Sequence, residues 1–168
     1  MSTENLHNHE AIEKLKEMVN KIDIGMMCSF APDSDYPHAV PMSRQEVDEE
    51  GNIWFLFSSE SETHRNLQQN NKVCLQYAHV GDYNFLSVNG TAEISQDKER
   101  IDKYWNKMIE AWFEKGKEDP RIRVLKVIPG EAYYWDNKSN KFVTLMKVAA
   151  SAISGQQMDI GREGKLNL

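Results

Sequence analysis

Hydrophobic residues recur along this chain at two different spacings, which separate predicted strands from predicted helices. Apolar runs of strand length cover residues 24–31, 37–47, 53–57, 72–80, 83–95, 122–135 and 141–153. Helical spacing covers residues 10–22, 58–70 and 97–114. Consecutive strands are joined by short polar turns without regular strand–helix alternation, which argues against a doubly wound parallel sheet. The pattern predicts a single domain over residues 1–168, mainly β with flanking helices (α+β), built on an antiparallel barrel of six or seven strands.

Proline and glycine interrupt several predicted strands. Pro41 cannot donate a ladder hydrogen bond, so its strand is expected at a sheet edge, at a bulge, or where a ligand meets the backbone. Asn89-Gly90 predicts either a bulge or a hairpin turn. Pro129-Gly130 is expected to break residues 122–135 into a pair of strands. The tail, residues 154–168, is rich in glycine and charge and is expected to be an arm or partly disordered.

Two of the helical segments carry features that suggest binding. Ser59 or Ser61 is placed to cap residues 58–70, and a hydroxyl-rich helix start directly after a strand is a plausible seat for a phosphate. The segment 97–114 has an unusually aromatic stripe, which predicts one helix plugging the end of the barrel. Within it, Trp105 and Trp112 offer flat surfaces of the kind that cover a cofactor ring or a dimer partner.

Charge and hydropathy exclude two classes of partner. The 168 residues are 40% hydrophobic and 27% charged, with a formal net charge of −6, whereas proteins that bind a phosphate backbone display a basic face. No apolar run approaches the roughly 20 residues that span a bilayer. The first ten residues are polar and lack a secretory core. We therefore expect no nucleic-acid partner, no membrane association and a cytoplasmic location.

Side-chain catalysis has no clear signature in this sequence. It contains no Gly-x-Gly-x-x-Gly, Walker, Cys-x-x-Cys, His-Glu-x-x-His or Gly-x-Ser-x-Gly motif. His7 and His9 have no supporting ligands, so no metal site is predicted. Cys28 and Cys74 are expected as buried thiols in a reducing compartment, although pairing between them is open in principle. These absences favour a bound cofactor, or no catalysis.

A series of short patterns carries a family resemblance over roughly residues 10–150. In chain order they are Pro41-Met42-Ser43, Trp54-Phe55-Leu56-Phe57 with Ser61 and Asn66-Leu67, Val88-Asn89-Gly90-Thr91-Ala92-Glu93, Tyr104-Trp105, Trp112-Phe113-Glu114-Lys115-Gly116, Asp119-Pro120, Val127-Ile128-Pro129 and Tyr134-Trp135-Asp136. The series resembles the FMN-binding split-barrel proteins related to pyridoxamine 5′-phosphate oxidase, and among them the general stress protein 26 group.

The resemblance implies a homodimer with FMN at the subunit interface and a small-molecule electron donor or acceptor. It implies that the first hairpin strand lies along the flavin ring and that the following helix start holds the phosphate. The positions that it assigns to the cofactor are His38, Ala39, Val40, Met42, Ser43, Leu56, Phe57, Ser58, Thr63, His64, Arg65, Gln76 and Trp105.

The chain departs from the oxidases at two places. Where they carry an Arg-Lys pair at the helix start, this chain has Glu62-Thr63, or His64-Arg65 if the alignment shifts by two residues. After Trp135 it lacks the Arg-x-His element that grips a pyridoxal-type substrate, so pyridoxamine phosphate oxidase activity is not expected. Three hypotheses remain: an FMN-dependent oxidoreductase, a non-catalytic flavin- or haem-binding module with a stress-related role, and a dimeric scaffold without a cofactor.

Overall fold

The computed structural model describes residues 2–137 and 161–168. Its helices are α1 (Asn8–Asn20), α2 (Glu62–Gln69), α3 (Lys98–Tyr104) and α4 (Lys107–Glu110). Its strands are β1 (Ser2–Thr3), β2 (Leu6–His7), β3 (Ile24–Phe30), β4 (Pro37–Val47), β5 (Ile53–Ser58), β6 (Lys72–His79), β7 (Asn84–Ser95), β8 (Ile122–Asn137) and β9 (Gly161–Asn167). The strand predicted at residues 141–153 lies outside the described residues. Across the part that is described, every helix is too short or too polar to traverse a bilayer.

Six strands close into an antiparallel barrel. The neighbours run β8-β5-β4-β3-β6-β7, and β7 returns to pair with β8. β8 is long enough to serve two partners along one edge, with β5 on residues 122–127 and β9 on residues 132–137. The short strands β1 and β2 add to β9 in parallel. The predicted mainly β split barrel is confirmed, as a closed barrel of six strands with extra strands at its side.

β4 pairs with a different neighbouring strand over each part of its length. β3 pairs with residues 37–43, whereas β5 pairs only with residues 44–47, after an irregularity between Arg44 and Glu46. Within residues 2–137 and 161–168, the β5-side edge of residues 37–43 therefore has no strand partner. Pro41 lies on this edge, where its missing N–H costs no ladder hydrogen bond. Of the placements expected for Pro41, the sheet edge is the one found.

The barrel interior forms the main apolar core. Phe55, Leu75, Val88 and Leu125 point into it from different strands, each with at most 1% of its surface exposed. α1 packs four residues into the same cluster, namely Ala11, Leu15, Met18 and Val19. α2 contributes Leu67. Burying a side chain of this size contributes about 2 kcal/mol, so both helices are held to the barrel by the hydrophobic effect.

A second apolar cluster lies on the outer side of β5 and β8. Trp54 faces opposite to Phe55 along β5 and packs with residues of β8 and of the helical region. The other members of this cluster are Ile101, Tyr104, Ile109, Phe113, Ile122 and Val124. The Tyr104 hydroxyl also donates to the Glu46 carboxylate of β4. The aromatic helical region therefore covers the outside of the barrel, and the expectation that it plugs an end is wrong.

The prediction of one helix over residues 97–114 is also wrong. α3 ends at Tyr104, and the next residue, Trp105, has extended backbone angles of φ −62° and ψ 127°. Asn106 then begins α4, because its side-chain oxygen accepts hydrogen bonds from the N–H groups of Met108 and Ile109. Asparagine side chains compete for backbone groups in this way and favour helix starts over helix interiors.

The predicted break at Pro129-Gly130 is a bulge inside one continuous strand. Gly90 of β7 pairs with Pro129, and Asn89 pairs with Glu131, which leaves Gly130 as an extra residue on β8. An extra residue bends a strand without ending it. Of the two interpretations of Asn89-Gly90, the bulge is confirmed.

Part of the tail that was expected to be an arm is a strand. β9 pairs with β8, and the Arg162 guanidinium binds the buried Asp136 carboxylate at 2.6 and 3.0 Å. Lys14 of α1 forms an ion pair with the same carboxylate. Burial alone would raise the pKa of Asp136, but the hydrogen bonds from Arg162 and Lys14 hold that pKa below its ordinary value. The expectation of an arm is therefore wrong for residues 161–167, because a strand edge and a buried ion cluster hold them.

Candidate functional site

The start of α2 follows β5 directly, as the sequence predicted. Ser61 is the cap: its side-chain oxygen accepts the N–H of His64 at 3.1 Å, and its hydroxyl donates to the Ser58 carbonyl at 2.7 Å. Ser61, and not Ser59, thus fixes where the helix begins. The first-turn N–H groups of a helix have no acceptor within the helix and point out of its N-terminal end. The positive end of the helix dipole lies there too, so this position favours an anion.

The edge of β4 that has no strand partner among the described residues reaches the same place. The Nδ1 atom of His38 lies 3.8 Å from the Glu62 carboxylate in the first turn of α2. The strand segment that was predicted to follow the flavin and the helix start that was predicted to hold the phosphate are therefore neighbours. Glu62 contributes a negative charge at this point, so any anion has to be held by other groups.

The predicted residues of β4 are divided between the two faces of the strand. Side chains alternate along a strand, so His38, Val40 and Met42 share one face, and Met42 packs against the main core. Ala39 and Ser43 face outward. A planar ring lying along this edge would meet backbone and small side chains on the outward side.

The three predicted contacts within α2 differ in accessibility. The side chains of Thr63 and His64 are buried, and the His64 ring lies 5.8 Å from the Phe57 ring, centroid to centroid. Arg65 is exposed, and its guanidinium donates to the Glu60 carbonyl at 3.4 Å. Arg65 is thus the member of this trio whose side chain can reach an anion in front of the helix.

A second guanidinium, which the sequence reasoning missed, lies beside α2. Arg123 near the start of β8 pairs in register with Phe57 at the end of β5. Burial lowers the pKa of His64, and the nearby positive charge of Arg123 lowers it further. The sequence signal was the Arg-Ile-Arg run at residues 121–123, but only the β5–β8 register places it here.

The two arginines of that run have different hydrogen-bond partners. Arg121 makes a two-point contact with the Asp119 carboxylate at 2.9 and 2.7 Å, which holds the pKa of Asp119 well below its usual range. Arg123 instead donates to the carbonyls of Pro120 and Ile122. Among the described residues it pairs with no carboxylate, so its charge is available to an anion.

Leu56, Ser58 and Trp105 lie on the outer side of β5. Leu56 and Trp105 pack against the second apolar cluster, and the Trp105 ring lies 6.4 Å from the Phe113 ring. Ser58 shares that face by alternation, whereas Phe57 points into the main core. Trp105 is half-buried and presents part of its surface to the outside.

Gln76 lies on the outer face of β6. Its amide nitrogen donates to the Ser87 hydroxyl at 2.8 Å and to the Cys74 sulfur at 2.9 Å. Register places Pro41, Met26, Gln76 and Ser87 in one row across four strands. Gln76 therefore shares a face with the outward residues of β4, and β3 and β4 separate it from β5 and Trp105 in the strand order.

This face is unusually apolar for an exposed surface. Ile24, Met26, Phe30 and Phe85 retain between 36% and 57% of their surface exposed, and we call them the outer apolar face. Contiguous exposed apolar side chains mark an interaction surface more often than isolated ones do. Ile24, Met26 and Phe30 lie on β3, the strand that pairs with residues 37–43 of β4, so this surface adjoins the candidate cofactor site.

Two further residues of this face are the cysteines. Cys28 on β3 and Cys74 on β6 are direct register partners, and both are free thiols. Each thiol is half-buried, whereas the sequence predicted that both would be fully buried, so that expectation is wrong. Both belong to strands whose inward positions are taken by larger residues such as Met27 and Leu75, which leaves the cysteines on the outward side.

Comparison with known proteins identifies the family. Residues 10–159 match the model of the family described as pyridoxamine 5′-phosphate oxidase like. The chain belongs to this family.

Related proteins agree with the fold. A structure from Jannaschia sp. CCS1 described as general stress protein 26 superposes with a TM-score of 0.75 at 22% identity, covering 95% of this chain and 97% of that one. The general stress FMN/FAD binding protein from Xanthomonas citri gives a TM-score of 0.65 at 29% identity, covering 79% of this chain and 93% of that one. Protein bli-3 of Neurospora crassa is 27% identical over 124 residues, which are 68% of this chain and 59% of that protein.

Proposed function

We propose that the protein binds FMN on the free edge of β4, with the phosphate at the start of α2, and that it works as a flavin-dependent oxidoreductase with a stress-related role. The observation that carries the proposal is the meeting of three features at one place: an unpaired strand edge, a capped helix start, and two arginines, Arg65 and Arg123, without carboxylate partners among the described residues. The similarity to the FMN/FAD binding protein of Xanthomonas citri supports a flavin.

The donor set fits a phosphomonoester. A doubly charged phosphate is held best by charge-assisted hydrogen bonds, and guanidinium groups supply them in pairs. The N–H groups at the start of α2 add further donors, except that of His64, which Ser61 already accepts. These groups also compensate for the negative charge of Glu62, which lies 3.8 Å from His38. Thr63 and His64 are buried in the first turn of α2, where the His64 ring packs near the Phe57 ring.

The proposed site is completed by a second copy of the chain. Gln76 and Trp105, both assigned to the flavin by the family resemblance, lie on parts of the barrel surface that β3 and β4 separate. Burying the outer apolar face against a second copy removes an unfavourable exposed surface. We therefore propose a homodimer with the flavin at its interface.

The flavin, when bound, supplies hydride or electron transfer with a small-molecule donor or acceptor. The chain contributes orientation along β4, charge for the phosphate and aromatic cover that excludes water. No general acid or base can be assigned, and pyridoxamine phosphate oxidase activity is not proposed, because an Arg-x-His element is missing after Trp135. A non-catalytic flavin- or haem-binding module is the second candidate. A cytoplasmic location stays a prediction.

Flavin binding is tested by comparing FMN with riboflavin, which lacks the phosphate. Purified protein is titrated with each ligand and binding is followed by quenching of flavin fluorescence. Losing one charged hydrogen-bond donor costs about 1.5–3 kcal/mol, so Arg123→Ala and Arg65→Ala should each weaken FMN binding about 10- to 150-fold. Neither variant should change riboflavin binding.

The control is Lys98→Ala, which removes the same charge at an exposed position on α3 that is not assigned to the cofactor. A wild-type protein that binds neither FMN nor riboflavin would refute the flavin proposal. Equal losses for both ligands in Arg123→Ala would refute the phosphate seat. Oxidation of NADH or NADPH by the FMN-loaded protein would then separate an oxidoreductase from a carrier.

A further inference from the structure

The β4–β5 gap, the stretch over which residues 37–43 do not pair with β5, begins at Arg44. This residue lies opposite Phe55 in the pair that ends the ladder between the two strands. If the same register continued, Ser43 would lie opposite Leu56. Both of these side chains are on the outer side of their strands, so alternation alone would let the ladder go on. The gap therefore needs another cause.

The Arg44 side chain ties β4 to the end of α1 at this point. Its guanidinium donates to the carbonyls of Val19 and Asn20, at 2.8 and 2.9 Å. The last turn of α1 has no basic residue of its own, and a cation is favourable at the C-terminal end of a helix. The backbone N–H of Arg44 donates to the carbonyl of Asp23, directly before β3, at 3.3 Å. Arg44 is therefore held on the side of α1 and β3.

A bulge next to Arg44 bends β4. The register to β5 shifts between Arg44 and Glu46, which leaves Gln45 as an extra residue on β4. Extra residues of this kind bend a strand and change the direction of its side chains. Beyond the bulge, the Glu46 carboxylate is held by α3, where the Lys103 ammonium donates to it at 2.6 Å. The strand is therefore anchored on both sides of its bend, by α1 before it and by α3 after it.

We propose that Arg44 is a positioning residue that keeps the β4–β5 gap open and so leaves the edge of residues 37–43 to a planar ligand. Without its guanidinium, β4 and β5 can approach each other and add the Ser43–Leu56 pair to their ladder. Pro41 would end such an extension, because it has no N–H to donate. The backbone contacts of a flavin ring would then be lost. This last consequence rests on the proposed function, whereas the effect of Arg44 on the gap does not.

The gap is tested by hydrogen exchange at the Ser43 amide, followed by NMR without any ligand. The Arg44 N–H points toward β3, and N–H groups alternate along a strand, so the Ser43 N–H points into the gap. Arg44→Met keeps an unbranched side chain and removes its donors. It is expected to slow exchange at Ser43 about 2- to 10-fold, because the new pair gives this N–H an acceptor. A variant that was merely less stable would exchange faster, so unchanged or faster exchange at Ser43 would overturn the proposal.

Flavin binding gives a second measurement of the same role. FMN and riboflavin share the ring, so Arg44→Met should weaken both by a similar factor of about 10, which corresponds to one hydrogen bond to a charged group. Arg65→Ala and Arg123→Ala, in contrast, should weaken FMN binding alone. Arg44→Lys keeps the charge and a donor for the end of α1, so it should recover part of the loss. Weaker binding of FMN without weaker binding of riboflavin would mean that Arg44 holds the phosphate itself, and would overturn the positioning role.

Two controls separate the gap from general stability. Tyr77→Phe removes a buried hydroxyl near Arg44 that has no partner among the described residues, and it should change neither exchange at Ser43 nor flavin affinity. Gly90→Ala strains the pairing of β7 with β8 and should also leave both affinities unchanged. If Gly90→Ala weakened flavin binding as much as Arg44→Met, the positioning role would be overturned. A wild-type protein that binds neither flavin, together with slower exchange at Ser43 in Arg44→Met, would refute the proposed function alone.

Discussion

Replacing Gly90 by alanine probes the bulge where β7 and β8 shift register. An alanine Cβ at this position would lie 2.3 Å from the Ile128 carbonyl oxygen, 3.1 Å from its carbon and 3.2 Å from the Pro129 Cα. Ordinary contact begins at 3.4 Å, so the neighbouring backbone has to move by about 1 Å. All three atoms are backbone atoms of a paired strand, and Gly90 is also paired with Val73 on its other side, so neither strand can move alone.

Overpacking of this kind costs about 1–3 kcal/mol, and a clash with rigid backbone belongs at the upper end. Alanine recovers about 0.4–1 kcal/mol by restricting the unfolded chain. The net destabilisation is therefore about 2 kcal/mol, which lowers Tm by about 4–8 °C in a protein of this size. Urea unfolding followed by tryptophan fluorescence measures the free energy, and a thermal scan measures Tm.

The matched control lies in the same bulge. A Cβ on Gly130 would meet only the Asn89 carbonyl oxygen, at 3.8 Å. Gly130→Ala is therefore expected to be neutral or stabilising by up to about 1 kcal/mol. If Gly90→Ala and Gly130→Ala had the same stability within about 0.5 kcal/mol, the close approach of β7 to β8 at this point would be refuted.

Two further predictions concern buried polar groups. Asp136→Asn leaves Lys14 and Arg162 without their buried carboxylate and should cost about 3 kcal/mol at pH 7. Because the native pKa of Asp136 lies below its ordinary value, the wild-type advantage is complete above about pH 4 and is lost as the pH falls through the native pKa. Urea unfolding at pH 7 and pH 3 measures the difference in free energy of unfolding between wild type and Asp136→Asn. A difference of equal size at both pH values would contradict the stabilising role of the Asp136 carboxylate. Asn66→Leu removes the hydrogen bond to the buried Ser29 hydroxyl, 3.1 Å long, and should cost about 1–3 kcal/mol. The double variant with Ser29→Ala should recover part of that loss, and a double variant less stable than Asn66→Leu would argue against it.

Local patterns were sufficient for most of the strands and for one helix start. β4 occupies residues 37–47, as the alternation and the flanking turns indicated, because hydrogen bonding to either neighbour requires the same extended backbone. Ser61 was one of two predicted caps. Its hydroxyl oxygen accepts the N–H of His64, three residues further on, and this hydrogen bond does not depend on the rest of the fold. Pro41 predicted an edge because a missing N–H is a property of the residue itself.

Other local predictions failed where a tertiary or side-chain contact outweighed the pattern. The apolar stripe of residues 97–114 continues across Asn106, but the side chain of Asn106 starts a new helix there. The Pro129-Gly130 pair looked like a break, yet β7 tolerates the extra residue because Gly90 has no side chain. β9 has almost no apolar pattern and is a strand because β8 offers it an unpaired edge.

The sequence by itself determined the class of fold, the family and the region of the candidate site, because alternation, caps and turn residues act over a few neighbouring positions. The tertiary structure decided which side chains share a face and which meet across the barrel. Arg123 joins α2, and Cys28 meets Cys74, only through strand register, which is set by the packing of both strands against a common core. A shift of one residue would turn either side chain to the other face, and no local feature of the sequence fixes that register.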